Sequence, residues 1–95
     1  MTFLVSGPAA GDLRDIRDWI AENDPQRAVR YLEELEALFA RLAARPLIGR
    51  PRDDVGPGVR SMVHRSHVVF YRPRDADVEI ARVLHGRRDL GRVLI

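Results

Sequence analysis

The chemistry this chain could carry is concentrated in three histidines and sixteen arginines. His64 and His67 flank a two-residue Arg65-Ser66 turn, so they would face each other across a hairpin within reach of one metal ion. A zinc site needs further ligands, and the chain has no cysteine and no third ligand in that pattern, so no metal is expected. His85, beside several arginines, is the one plausible general acid or base. The carboxylate pairs Asp53-Asp54 and Asp75/Asp77 lie in turn-like segments, where aspartate commonly bonds its own backbone. Gly56 and Gly58 are separated by a proline and no Gly-rich strand-to-helix turn exists, so phosphate-loop chemistry has no support.

All sixteen basic residues are arginine, which fits either composition bias or a surface of guanidinium forks for carboxylate or phosphate. Their placement is uneven. Residues 1–47 hold six arginines against eight acids, whereas residues 48–95 hold ten against six. Arg60, Arg65, Arg82, Arg87 and Arg88 all fall in the basic half, and Arg60 and Arg82 alternate with apolar strand positions. A strand guanidinium must find an anion or project from an open face, because burying it unpaired is costly. The anion could be Asp77, Glu79 or Asp89 of the same chain, a partner's carboxylates, or nucleic-acid phosphate. Stacking platforms for bases are scarce, since Phe70 and Tyr71 are neighbours that point to opposite faces.

The elements that must position these groups follow from periodicity. Thr2 to Ser6 reads as a short strand, ended by Ser6-Gly7-Pro8. Leu13, Ile16 and Ile20, with Trp19 beside them, give a helix over about 9–22, with Asp12 and Asp15 near its positive end. Asn23-Asp24-Pro25 stops that helix and starts another, predicted over 25–45 from Ala28, Leu32, Leu35, Phe39 and Leu42, with Tyr31 and Leu38 flanking the stripe. Glu33, Glu34, Glu36 and Arg41 are left for solvent. The segment 46–58, PLIGRPRDDVGPG, has six Pro or Gly in 13 residues and reads as a loop. Strands are predicted at 59–64, 67–72 and 78–85, the last placing Val78, Ile80 and Leu84 on one face and Ala81 and Val83 on the other. The tail 86–95 ends in Val93-Leu94-Ile95, which needs cover from the fold or a partner.

At 95 residues and 10.8 kDa, residues 1–95 are expected to form a single domain with a thin core, so a partner that covers apolar surface would add working stability. A composition 45% hydrophobic and 32% charged excludes a disordered chain. The absence of cysteine suits a reducing cytoplasm, and no apolar run approaches a membrane span or a secretion signal.

Taken together, the order βααβββ, the helix ending in RPLIGRP, the strand SHVVFYR and the closing VEIARVLHGRRD resemble the RelE/ParE toxin family of bacterial toxin-antitoxin pairs, closest to its ParE branch. The resemblance spans nearly the whole chain. It implies an α+β fold with a helical hairpin packed on one face of a small antiparallel sheet. It also implies a cognate antitoxin, of ribbon-helix-helix ParD-like type, whose apolar anchors and carboxylates cover the helix pair and reach the sheet arginines. Arg60, Arg65, Arg82, Arg87 and Arg88, with Leu13 and Trp19, are the expected partner-binding residues. RelE-like members cut messenger RNA on the ribosome, whereas ParE-like members stall DNA gyrase. For the nuclease, Arg60, Arg82 and His85 would be the catalytic set. The chain lacks lysine altogether, has Gly86 where an aromatic residue would follow His85, and has no tyrosine after Tyr71. The resemblance therefore favours gyrase inhibition without catalysis or cofactor, with the ribosome-dependent nuclease and a non-toxic antitoxin-binding module as alternatives.

Overall fold

The computed structural model describes residues 2–89, 91, 93 and 95. Strand β1 (Thr2–Val5) leads into helix α1 (Gly7–Ala21) and helix α2 (Pro25–Ala44). A two-residue strand β2 (Arg50–Pro51) then precedes β3 (Arg60–His64), β4 (His67–Arg74) and β5 (Asp77–His85). The helix boundaries follow from capping. The Ser6 side chain accepts a hydrogen bond from Ala9 N at 3.1 Å, so the helix begins at Gly7, earlier than its apolar pattern suggests. Asp24 repeats the device for α2, accepting from Arg27 N at 3.0 Å with Pro25 in the first turn. The helix ends at Ala44 with Arg45 as its cap, and the chain turns at Pro46.

The five strands form one sheet in the order β1-β5-β4-β3-β2. The β3–β4 and β4–β5 hairpins are antiparallel, as expected, but β1 runs parallel to β5, so the sheet is mixed. Parallel pairing needs a crossover, not a tight turn, so it is set by where the helical hairpin returns the chain and leaves no local signal. The expected 46–58 loop contains β2, which extends the other edge by pairing Arg50 with Ser61 and Pro51 with Arg60.

A bulge corrects the expected facing of β5. Phe70 pairs with Arg82 and Tyr71 with Ile80, so Ala81 is an extra residue and the alternation flips across it. Val78, Ile80 and Val83 therefore lie under the helices with Val69, Tyr71, Leu35, Leu38, Phe39 and Leu42. Leu84 instead joins Val68, Phe70, Val55 and Val59 on the opposite face. That second face is covered by the chain itself: Val93 and Ile95 pack against it, and Ile95 N donates to Val55 O at 2.8 Å. Gly56 is needed there, because a Cβ would run into the Ile95 carbonyl. The apolar tail thus finds cover within the fold through these two residues; Leu94 lies outside the described residues.

Candidate functional site

At the end of the sheet where β5 finishes and β3 turns into β4, the helical hairpin stands away and leaves a cleft of about 660 Å³. Ile16, Trp19 and Ile20 of α1 line one wall, Arg27 and Tyr31 of α2 another, and His67, His85 and Arg88 the sheet side. Helical spacing brings Trp19 to the same side as Ile16, and Trp19 remains 66% exposed. The Arg88 guanidinium lies 6.0 Å from the Trp19 ring centroid, a cation over an aromatic face.

The polar floor is a chain of aromatic and imidazole groups. The Tyr31 hydroxyl and His67 Nδ1 share a 2.6 Å hydrogen bond, and the His67 ring stands edge-on to His85 with centroids 5.6 Å apart. His85 Nδ1 accepts from Arg87 N at 3.2 Å, and His85 N donates to Asp89 Oδ2 at 3.0 Å. Burial, reinforced by the neighbouring His85 and Arg88 charges, holds the His67 imidazole below its ordinary range. Burial also pushes the Tyr31 phenol up, with Glu34 adding to it. Both shifts favour neutral groups sharing one proton. Among the described residues no group of three His, Asp or Glu side chains could hold a metal ion.

Two arginines of the sheet, Arg82 and Arg65, are paired with acids from the helices. Arg82 forks onto Asp12, with Nε and Nη2 each 2.8 Å from a carboxylate oxygen, and the pairing raises the guanidinium pKa further. Asp12 Oδ2 also accepts from Val83 N at 2.9 Å, beyond the point where β1 stops pairing with β5. Asp12 therefore completes the open edge of the sheet. Arg65 takes the left-handed conformation, with φ 53°, in the β3–β4 turn and forks onto Glu34 at 2.9 and 3.3 Å. His64 Nε2 meets the same carboxylate at 2.9 Å, and Arg65 followed by His64 holds Glu34 below its usual range. Glu79 is engaged by Arg72 and Arg74 instead.

The predicted site residues thus divide. Trp19, Arg65, His85 and Arg88 surround the cleft; Arg82 lies at its edge with Asp12; Arg87 is exposed just beyond β5. Leu13 is half-buried against the main core, outside the cleft lining. Arg60 sits at the opposite end of β3, donating to Leu47 O and Gly49 O. Several expectations are corrected. Glu34 is committed to the β3–β4 turn and not left to solvent. His67 is a buried partner of Tyr31, only 8% exposed. Asp12 answers a strand arginine and not the helix dipole, displacing Asp77, Glu79 and Asp89 as its expected partners. Tyr31 and Glu34 are three residues apart on one helical face, a spacing that could have flagged a polar line facing the hairpin. Asp12 and Arg82 are separated by 70 positions, and nothing local links them.

The molecule is thus a capped helical hairpin on one face of a small mixed sheet, with a cleft at one end and arginines on the strands. A solved structure described as the "Chromosomal ParDE TA system from P. aeruginosa" shares this fold with a TM-score of 0.74, covering 90% of this chain and 95% of that one at 23% identity. The family described as "ParE toxin of type II toxin-antitoxin system, parDE" matches residues 3–90. Toxin ParE1 of Mycobacterium tuberculosis is 37% identical over 94 residues, 97% of this chain and 96% of the relative. Toxin ParE3 of Caulobacter vibrioides is 40% identical over 84 residues, 87% and 84% of the two chains. The chain belongs to the ParE toxin family of type II toxin-antitoxin systems.

Proposed function

We propose that this chain is a cytoplasmic toxin that binds DNA gyrase and stalls it without catalysis, and that a cognate ParD-like antitoxin neutralises it by filling the cleft. The observation that carries the non-catalytic reading is the state of the arginines. Of the expected nuclease set, Arg82 is forked onto Asp12 and Arg60 lies at the far end of β3 from His85, so neither arginine of that set stands free beside the histidine. The cleft supports the antitoxin reading, because exposed Trp19 and half-buried Ile16 and Ile20 leave an apolar wall that a partner's side chains can cover. Among the described residues no helix is long and apolar enough to cross a membrane.

One observation favours the ribosome-dependent nuclease as the second reading. Tyr31 and His67 add two titratable groups beside His85, where the sequence offered His85 alone. A single experiment separates the two. Purified chain is assayed for gyrase-dependent DNA breaks and for messenger cleavage in a translating extract, with His85→Ala and Tyr31→Phe beside the parent. The expected result is DNA breaks in all three and no messenger cuts. Codon-phased RNA cuts lost in either variant, with gyrase untouched, would overturn gyrase inhibition in favour of the nuclease.

A further inference from the structure

The turn between α2 and β2 is held far more rigidly than its exposed position requires. The Tyr71 hydroxyl, on a fully buried side chain of β4, donates to Pro46 O at 2.7 Å and accepts from Gly49 N at 2.8 Å. Arg60 Nη1 donates to Leu47 O at 3.2 Å and to Gly49 O at 2.8 Å, and Ile48 N donates to Arg45 O at 3.2 Å. Gly49 is buried against the Tyr71 ring, where a Cβ would overlap the hydroxyl. What this scaffold displays is apolar: Leu47 is 69% exposed and Ile48 37%. A free surface turn gains nothing from showing two aliphatic side chains, whereas an interface gains by having them ordered before contact.

The surroundings restrict the partner. Arg45 and Arg50 are exposed on either side of the pair, Arg60 lies beneath it, and among the described residues none of the three is ion-paired. The partner surface is therefore aliphatic at its centre and acidic at its rim. With the antitoxin in the cleft, as proposed above, the turn is left to a second partner, the toxin's target. The turn adjoins the start of β3, while the cleft lies at the end of that strand, so the two surfaces sit at opposite ends of the sheet.

We propose that the Pro46–Gly49 turn is a preformed docking knob, and that it inserts into a carboxylate-rimmed aliphatic pocket on the toxin's folded target and not on its antitoxin. The choice of gyrase as a probe and the place of the antitoxin in the cleft rest on the function proposed above. The test uses full-length Leu47→Ser/Ile48→Ser and Arg45→Ala/Arg50→Ala beside the parent chain. Thermal melting checks folding, and the readouts are growth arrest on induction, affinity for the cognate antitoxin, and gyrase-dependent DNA breaks. The Leu47/Ile48 variant should lose arrest potency by about tenfold or more, with antitoxin affinity within about twofold of the parent and an unchanged melting temperature. The arginine variant should lose less, and its activity should respond less to salt than the parent's, because the screened charges are gone. If the parent arrests growth without making gyrase breaks, the gyrase reading fails and the arrest comparison still decides the knob. Undiminished arrest in the Leu47/Ile48 variant would overturn the proposal. So would a tenfold loss of antitoxin affinity, or a loss confined to the arginine variant, which would mark a phosphate contact instead.

Discussion

The two helices of the hairpin differ in what they give to the fold. Helix α2 buries Ala28, Tyr31, Leu35, Leu38, Phe39, Leu42 and Ala43, whereas of the described residues of α1 only Ala9 is buried. Both carry an apolar stripe at helical spacing. The difference is position: α2 covers the inner face of the sheet, while α1 lies beside it along β5, where β1 has ended and Asp12 takes over the edge. Trp19 is therefore left at the surface, and Leu13, Ile16 and Ile20 are only partly buried against the core. An apolar stripe does not by itself mean burial, and the helix that the core does not consume is the one available to a partner.

The sharpest way to break this contrast is to truncate each helix and read two quantities. Phe39→Ala should cost about 3 to 5 kcal/mol of unfolding free energy in denaturant titration, because its ring is fully buried and meets Phe3 edge-on. A loss much below that would mean that α2 does not anchor the core. Trp19→Ala should leave unfolding nearly unchanged and weaken the cognate antitoxin by about 2 kcal/mol or more in calorimetric titration. Unchanged affinity would remove α1 from the interface. Asp12→Ala falls between them, at about 1 to 2 kcal/mol of stability, because Val83 N loses its acceptor while Arg82 can still turn to solvent.

The pH dependence tests the cleft floor. His67 is held below its ordinary value of 6.5 in the folded chain, so the unfolded chain takes up that proton first as pH falls. This contribution is fully present above 6.5 and is lost as pH drops through that value toward the folded one. Melting temperature should therefore decline on acidification in this window, and His67→Gln should flatten the decline. An equal decline in the variant would place its origin elsewhere. Glu34 acts in a lower window, because its stabilisation disappears only as pH falls below its ordinary 4.5. The smallest effect is Glu34→Gln near neutral pH, where an exposed fork screened by water and salt should lower melting only slightly.

Much of this molecule can be read from the chain because it is written in local terms. Helix positions follow from apolar periodicity and from Ser6, Asp24 and the flanking prolines, which act within a few residues of where they stand. The β3–β4 turn follows from the Arg65-Ser66 pair between two apolar runs, and the family follows from three segments and the order of the elements. Other features depend on groups that meet only after the chain has folded. The parallel entry of β1, the flip of β5 at Ala81, the Asp12–Arg82 fork, the Tyr31–His67 bond and the pinning of the Pro46–Gly49 turn by Tyr71 all join distant positions. Local propensity acts over a turn of helix or a hairpin, whereas the partner of a buried polar group is chosen by packing, after hydrophobic burial has decided which surfaces are in reach.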